Sequence, residues 1–556
     1  MIEPVRESTK KRSAKKRSAR ARLLLLCVAL AVLCVFTLLH CYHAIAQQST
    51  SSFANTLTLQ EQRGKAIYQR GASPSGPEII AMMGEIDVPA STLTCAGCHG
   101  VRGEGKTEGG VIAGQLTWTH LTKSYGHSHP SGRKHGPFNE LSFIRSVANG
   151  LDPAGNPLLV TMPRYRMTQE QMADLLAYVK RIAADSDPGV TEQAIIIGSV
   201  LPAHGPLTET GAAMRDVLTA YFAEVNSRGG IYNRRIELHV VESRATAAET
   251  TSAAGELATR EQVFAFIGGL SAGADRELAA LAAEREIPFV GPGTLLPPTD
   301  TPINRQVFYL LSGVREQSRA LVNFAAARPE LTKTRAAIVA DGGELTQAAS
   351  NAAEEQAKKT GWEKIDREAY QGGGFDAAQL VRKLRLAETG VVFFFGESGD
   401  EAVFIREAAA AGWTPHIFLL GALAGRGLLG AISQEFKDKL FLAYPTVPAD
   451  ITPSAAAEFR ALQGKHKFAL RHSASQLAAL AAAKVFVEAL KRAGQDLTRE
   501  KLIGALESLY DFETGVTPRL TFGPNRRVGA PGAYIIAIDT VKKQFVTVGG
   551  WVEANR

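Results

Sequence analysis

From Ala194 onward, for about 350 residues, short apolar runs alternate with longer stretches of helical period, and this alternation limits the possible folds more than any other feature of the chain. The apolar runs sit at 194–200, 236–241, 263–267, 288–290, 336–339, 391–395 and 417–420. Between them lie stretches such as 211–226, where Met214, Val217, Leu218, Tyr221 and Val225 fall on one side of a helix. Strands that are apolar on both faces and separated by helices belong in a parallel sheet covered on both sides. So much of it predicts two α/β sheets rather than one.

Upstream the pattern changes around the pentapeptide Cys95-Ala96-Gly97-Cys98-His99. Two thiols three residues apart, followed at once by an imidazole, form the attachment motif of a c-type haem. Each thiol can add to one haem vinyl group, which leaves His99 beside the iron. A redox dithiol, half a zinc site or a chance pair are the alternatives. The first lacks a βαβ context and the second lacks another ligand pair.

The flanks make residues 57–184 resemble the class I cytochrome c family. Gly64 and Tyr68 lie on an upstream helical stretch, and Gly100-Val101-Arg102-Gly103-Glu104-Gly105 follows the motif. Gly150-Leu151-Asp152-Pro153-Ala154-Gly155 then precedes Met162-Pro163-Arg164-Tyr165. Thr168 and Gln171 are spaced as a capping box before a helix with Met172, Leu175, Leu176, Val179 and Ile182 on one face. The resemblance implies an all-α domain holding one covalent haem c through Cys95 and Cys98, with His99 and Met162 as axial ligands. Met167, Met82 and Met83 are rivals for the second axial position. Residues 120–135 also carry His120, His127, His129 and His135. These could bind a metal or offer another haem ligand, but a polar surface loop beside the haem is the expectation.

The charge of the chain is concentrated at its start. Residues 1–22 hold nine Lys and Arg against Glu3 and Glu7, and residues 23–46 hold no charged side chain. The remainder has 53 basic and 53 acidic residues, so the basic balance belongs to the tail and no nucleic-acid partner is expected. The apolar run 23–39 followed by Ala44-Ile45-Ala46 reads as a secretory signal cleaved after Ala46, or as an uncleaved membrane anchor. Either way the bulk of the chain is exported to the periplasm, and the membrane is touched only through this segment. Three of the five cysteines, Cys27, Cys34 and Cys41, lie in or beside the run, so the exported part keeps only the haem-motif pair. The expected organisation is residues 1–46 signal or anchor, 47–56 tether, 57–184 cytochrome, 185–193 linker and 194–545 binding domain.

That last domain resembles the type I periplasmic solute-binding family, the leucine/isoleucine/valine-binding group of importer substrate-binding proteins. The resemblance rests on Ile195-Ile196-Ile197-Gly198 before Pro202-Ala203-His204-Gly205-Pro206, and on Asn226-Ser227-Arg228-Gly229-Gly230-Ile231. Phe266-Ile267-Gly268-Gly269, Pro288-Phe289-Val290-Gly291-Pro292 and Val391-Val392-Phe393-Phe394-Phe395-Gly396 continue it. It implies two lobes with a ligand cleft at the strand C-termini. Carried over loop by loop, lobe one supplies His204, Leu270, Ser271, Ala272, Gly273, Gly293 and Thr294. Lobe two supplies Gly342, Gly343, Glu397, Ser398, Gly421 and Ala422. The family's amino-acid binders place a serine near Ala272 and a threonine near Leu295, with a lobe-two tyrosine and an acid near Gly343 and Ala422. A buried ammonium needs a carboxylate partner, so a small organic acid or neutral polar solute is expected instead of an amino acid.

No nucleophile–base constellation stands out, so an electron carrier and solute binder is expected rather than an enzyme. A redox partner protein would follow, and the resemblance extends to a subgroup associated with quinoprotein dehydrogenases. An importer's substrate receptor working with an ABC permease, and a redox or ligand sensor, are the alternatives.

Overall fold

The computed structural model describes residues 57–554, apart from Ala272, 299–301, Glu363, Gly372 and Arg426. The expected signal or anchor and the 47–56 tether lie outside the described residues. The chain forms two compact units, with the boundary between Ser186 and Asp187.

The first unit is built on two crossing helices. Leu59–Arg70 and Gln169–Arg181 each begin with a complete capping box, Thr58 with Glu61 and Thr168 with Gln171. A Cβ at Gly64 would lie 2.0 Å from the Asp174 carbonyl oxygen, so only glycine lets the helices approach this closely. Arg63 locks the crossing, donating through Nε and Nη2 to the buried Asp174 carboxylate at 2.8 and 2.9 Å. The Tyr68 and Tyr178 rings meet at 5.7 Å beside it. Met172, Leu175, Leu176, Val179 and Ile182 are all buried in one core, as their spacing predicts. Each such side chain contributes about 1.5–3 kcal/mol by leaving water.

The helical frame carries additions that the sequence did not signal. Ile80–Met83 and Ile86–Pro89 form a hairpin in the 71–94 interruption, and Arg164–Arg166 pairs antiparallel with its first strand. Lys106–Glu108 pairs with Val111–Ala113, and His127–Ser128 with Lys134–His135. Strands of two to four residues give too little periodicity to be read from sequence.

The second unit contains two sheets. The first has six strands in the spatial order Val528–Ala530, Val307–Leu311, Phe289–Val290, Ala265–Ile267, Ala194–Pro202, Arg235–Ser243, all parallel. The second has seven, in the order Ile365–Ala369, Arg335–Ala340, Thr389–Phe395, His416–Leu420, Leu440–Tyr444, Gly532–Asp539, Gln544–Glu553. Its first five strands are parallel and its last two antiparallel. Each sheet is the floor of one lobe, with cores on both faces.

The chain crosses between the lobes three times: after Leu311, after Tyr444, and at Pro531 between two strands. The Ser312 hydroxyl donates to the Gly532 carbonyl at 2.6 Å, tying the first crossing to the third. The helix Ser473–Ala493 is long and apolar enough to span a bilayer, but Ala479–Ala483 and Val485–Val487 are buried in the core of lobe one.

Candidate haem site and solute cleft

Cys95, Cys98 and His99 share one short helix, Cys95–His99, capped by Thr94, whose hydroxyl accepts from the Gly97 amide at 3.1 Å. Both cysteines are free thiols, and burial pushes that of Cys95 up to about 12. His99 Nδ1 lies 2.7 Å from the Gly114 carbonyl oxygen. A carbonyl only accepts, so Nδ1 carries the proton and Nε2 keeps its lone pair for a metal. Burial also lowers the pKa of this imidazole, which favours the neutral, ligating form. Sequence reading missed Gly114, because nothing local marks a carbonyl 15 residues downstream.

Half-buried apolar side chains, among them Leu93, Ala96, Leu116, Trp118, Phe138 and Ile144, pack against the core of this domain. Met162 follows a turn and is half-buried, outside the core cluster. Arg164 holds its backbone by donating to the Met162 carbonyl and, at 3.3 Å, to that of Leu158. The Tyr165 hydroxyl donates to the Leu93 carbonyl at 2.7 Å, linking the methionine loop to the chain just before Cys95. Among the rivals, Met167 packs against the core, Met82 accepts from Arg166 at 3.3 Å, and Met83 is exposed on the added hairpin. The donor set, two thiols with an imidazole of fixed tautomer beside an apolar core, fits a haem c.

In the second unit the predicted loops stand at the C-terminal ends of parallel strands, where open α/β sheets bind ligands. His204 is exposed after the Ala194 strand, 3.4 Å from Glu242. Leu270 and Ser271 follow the Ala265 strand; Ala272 lies outside the described residues. The Gly293 amide donates to the Gly269 carbonyl at 2.7 Å, and the Thr294 hydroxyl accepts from the Leu296 amide at 3.0 Å. Ser271 is not free, because its hydroxyl donates to Asp275 and accepts from the Ala274 amide. The helix Asp275–Glu284 therefore opens on its own carboxylate and spends one amide internally. That leaves this helix end less open to an anion from outside.

Lobe two corrects the sequence reading in a second way. Glu397 and Ser398 are exposed at the end of the Thr389 strand as expected. However, two tyrosines that the sequence reading passed over, Tyr370 and Tyr444, stand at the ends of strands two places to either side of that strand. A Cβ at Gly396 would lie 2.2 Å from the Tyr370 hydroxyl, and one at Gly421 would lie 2.3 Å from the Tyr444 ring. These glycines are small because aromatic side chains fill their space. Tyr370 donates to Asp400 at 2.7 Å and accepts from the Glu397 amide at 3.1 Å. The nearby carboxylates are similarly engaged. Glu401 caps Gly399 and Gly425, Asp341 accepts from Gly343 and Thr346, and Glu344 pairs with Arg276 of lobe one at 3.0 Å.

A periplasmic binding protein family model matches residues 194–543, and a cytochrome c model matches residues 62–183. The chain belongs to the periplasmic binding protein family and carries a cytochrome c domain ahead of the binding domain. A cytochrome c domain implies haem c, and the binding fold implies a small-molecule solute. Leu/Ile/Val-binding protein homolog 7 of Brucella suis is 24% identical over 339 residues, covering 58% of this chain and 83% of that protein. A branched-chain amino acid ABC transporter protein from Thermus thermophilus, solved with bound valine, superposes with a TM-score of 0.52 at 20% identity. It covers 66% of this chain and 97% of its own. A fatty acid ABC transporter substrate-binding protein from Thermomonospora curvata gives a TM-score of 0.50 at 18% identity, covering 66% and 95%.

Proposed function

We propose that this chain is a periplasmic haem c protein that combines electron transfer with the binding of a small organic solute lacking an α-ammonium group. One haem is held covalently by Cys95 and Cys98, with His99 Nε2 and Met162 Sδ on the iron. A thioether in the sixth position raises the reduction potential and leaves no open site for substrate, which suits a carrier more than a catalyst. The observation that carries the electron-transfer reading is the 2.7 Å contact from His99 Nδ1 to the Gly114 carbonyl, which frees Nε2. Its electron partner is then an exported redox protein; a quinoprotein dehydrogenase is one member of that class.

The solute class follows from the charges at the cleft. Glu397 is the predicted cleft acid left over after Asp341, Glu344, Asp400 and Glu401 have taken partners. An α-ammonium would have to be desolvated against that one exposed carboxylate, a poor exchange for its hydration. A neutral alcohol needs no such partner, whereas a carboxylate would draw on hydrogen-bond donors of the loop backbones; a similar fold is named for fatty acid transport. The relatives named for branched-chain amino acids favour a second reading, an importer's receptor for an amino acid working with an ABC permease.

Two measurements test the proposal. The exported chain should retain haem on a denaturing gel, and its ferric spectrum should carry the weak sulfur-to-iron band at the red edge. Met162→Ala should abolish that band; survival of the band would move the ligand to Met167 or Met82. A thermal-shift screen should then give stabilisation with carboxylates or alcohols, because only the native state holds the ligand. Stabilisation by leucine or valine alone would establish the importer reading instead.

A further inference from the structure

Outside both sites, the four histidines of residues 120–135 form a stack rather than the scattered polar loop their sequence suggested. His127 and His135 are direct partners across the short hairpin, and Gly132 closes its turn by donating to the His129 carbonyl at 2.9 Å. Ring centroids lie 4.9 Å apart for His120 and His127, 5.0 Å for His127 and His135, and 5.1 Å for His129 and His135. His135 is 8% exposed, with the Phe138 edge against its ring.

The tautomers can be read from the acceptors. His135 Nδ1 faces the Gly136 carbonyl at 2.7 Å and must donate, so its Nε2 carries a lone pair. That lone pair points at His129 Nε2, 3.0 Å away. His127 Nε2 donates to the Leu121 carbonyl at 3.2 Å, which leaves the lone pair on its Nδ1. We propose that this hairpin binds a divalent transition-metal ion, with His129 Nε2 and His135 Nε2 as its preformed ligands and His127 Nδ1 as the third.

The ion would replace the proton that now joins the two nitrogens, standing to one side of the line between them after a small turn of the rings. Metal–imidazole bonds of about 2.0–2.1 Å put cis nitrogens about 3.0 Å apart at a right angle and about 3.3 Å apart at the tetrahedral angle. The observed 3.0 Å separation is near both values, so two imidazoles come within bonding reach of one ion with little movement, and the affinity order of divalent metals places Cu2+ ahead of Zn2+ at such nitrogen ligands. The carbonyl of Gly136 behind His135 is the outer partner that metal-bound imidazoles usually have. No three metal-ligating side chains already converge among the described residues. The site is thus a fixed pair that a small movement of the stacked His127 ring completes, with water filling the remaining positions. The hairpin is also anchored. Arg133 pairs with the buried Asp152 at 2.8 Å, which offsets its charge, and Asn156 donates to the Lys134 carbonyl at 3.1 Å.

The test uses the haem-loaded exported chain titrated with Cu2+, followed by calorimetry and electron paramagnetic resonance. One equivalent should bind, with hyperfine splitting from two or more imidazole nitrogens, and Zn2+ should bind more weakly. His129→Ala should weaken Cu2+ by about tenfold or more, while His239→Ala on the other unit should leave it unchanged. The haem spectrum should not change on binding. Equal affinity in His129→Ala, a spectrum without nitrogen splitting, or a shift of the haem bands showing a histidine on the iron would each overturn the proposal. Should His129→Ala fail to fold, the wild-type nitrogen splitting decides alone.

Discussion

In the cytochrome domain, Cys95, Cys98 and His99 stand on one five-residue helix. In the binding domain the cleft loops come from strand ends spread from Pro202 to Tyr444. The first arrangement is fixed by local spacing, so its chemistry can be read directly from the pentapeptide. The second is fixed by a long-range parallel sheet, so its loops can be located in sequence while their partners cannot. Tyr370 and Asp400 are 30 residues apart yet share a 2.7 Å hydrogen bond. Only the side-by-side order of the sheet brings them together.

The sharpest break of this comparison is Cys98→Ser. One thioether fewer should cause a large drop in covalently held haem, read by haem staining of a denaturing gel. The same substitution should leave solute affinity untouched, since each domain closes its own core. A lost solute response would mean that the domains depend on each other for folding.

Next in size is Asp152→Ala. Asp152 is buried and accepts from Arg133 at 2.8 Å, from the Ala154 and Asn156 amides at 2.9 Å, and from Asn156 Nδ2 at 3.0 Å. Breaking a buried pair of this kind costs about 3 kcal/mol, which should appear as an earlier melt of the cytochrome domain alone. Burial by itself would raise this carboxyl, but the bonds from Asn156 and Arg133 hold it below the usual carboxylate range. Its contribution is therefore present above the unfolded pKa of about 3.9 and lost as pH falls through the lower folded value. The gap between wild type and variant should stay constant near neutrality and close below about pH 4. A gap that persists at pH 2 would assign the effect to packing.

The smallest effect belongs to the binding domain. Arg276 and Glu344 join the two lobes at 3.0 Å, with both side chains about 70% exposed. Exposed pairs contribute about 0.2–1 kcal/mol, so Arg276→Ala should weaken solute binding by less than about fivefold, and less again at high salt. A larger loss would make the pair a true latch on the closed cleft.

Much of this was legible beforehand. The Thr168 capping box and the buried face of the last cytochrome helix follow from spacing, Gly64 is marked only by the family resemblance, and the structure places all three where they were expected. The seven apolar runs became strands for the same reason. Ile365–Ala369 and Gln544–Glu553 were not read, because they are edge strands with polar side chains and no continuous apolar run. Val307–Leu311 is apolar throughout, but five residues cannot separate a strand from buried helix by period. Gly421 reads as a ligand-facing small residue, whereas the Tyr444 ring from the adjacent strand accounts for it.

The account rests on one chain holding an electron carrier and a solute receptor that work side by side without gating each other. The most direct measurement is the affinity for the best solute from the thermal-shift screen, taken with the haem fully oxidised and again fully reduced. Equal dissociation constants are predicted. A tenfold difference, about 1.4 kcal/mol of coupling, would contradict the account and make the molecule a redox-gated sensor.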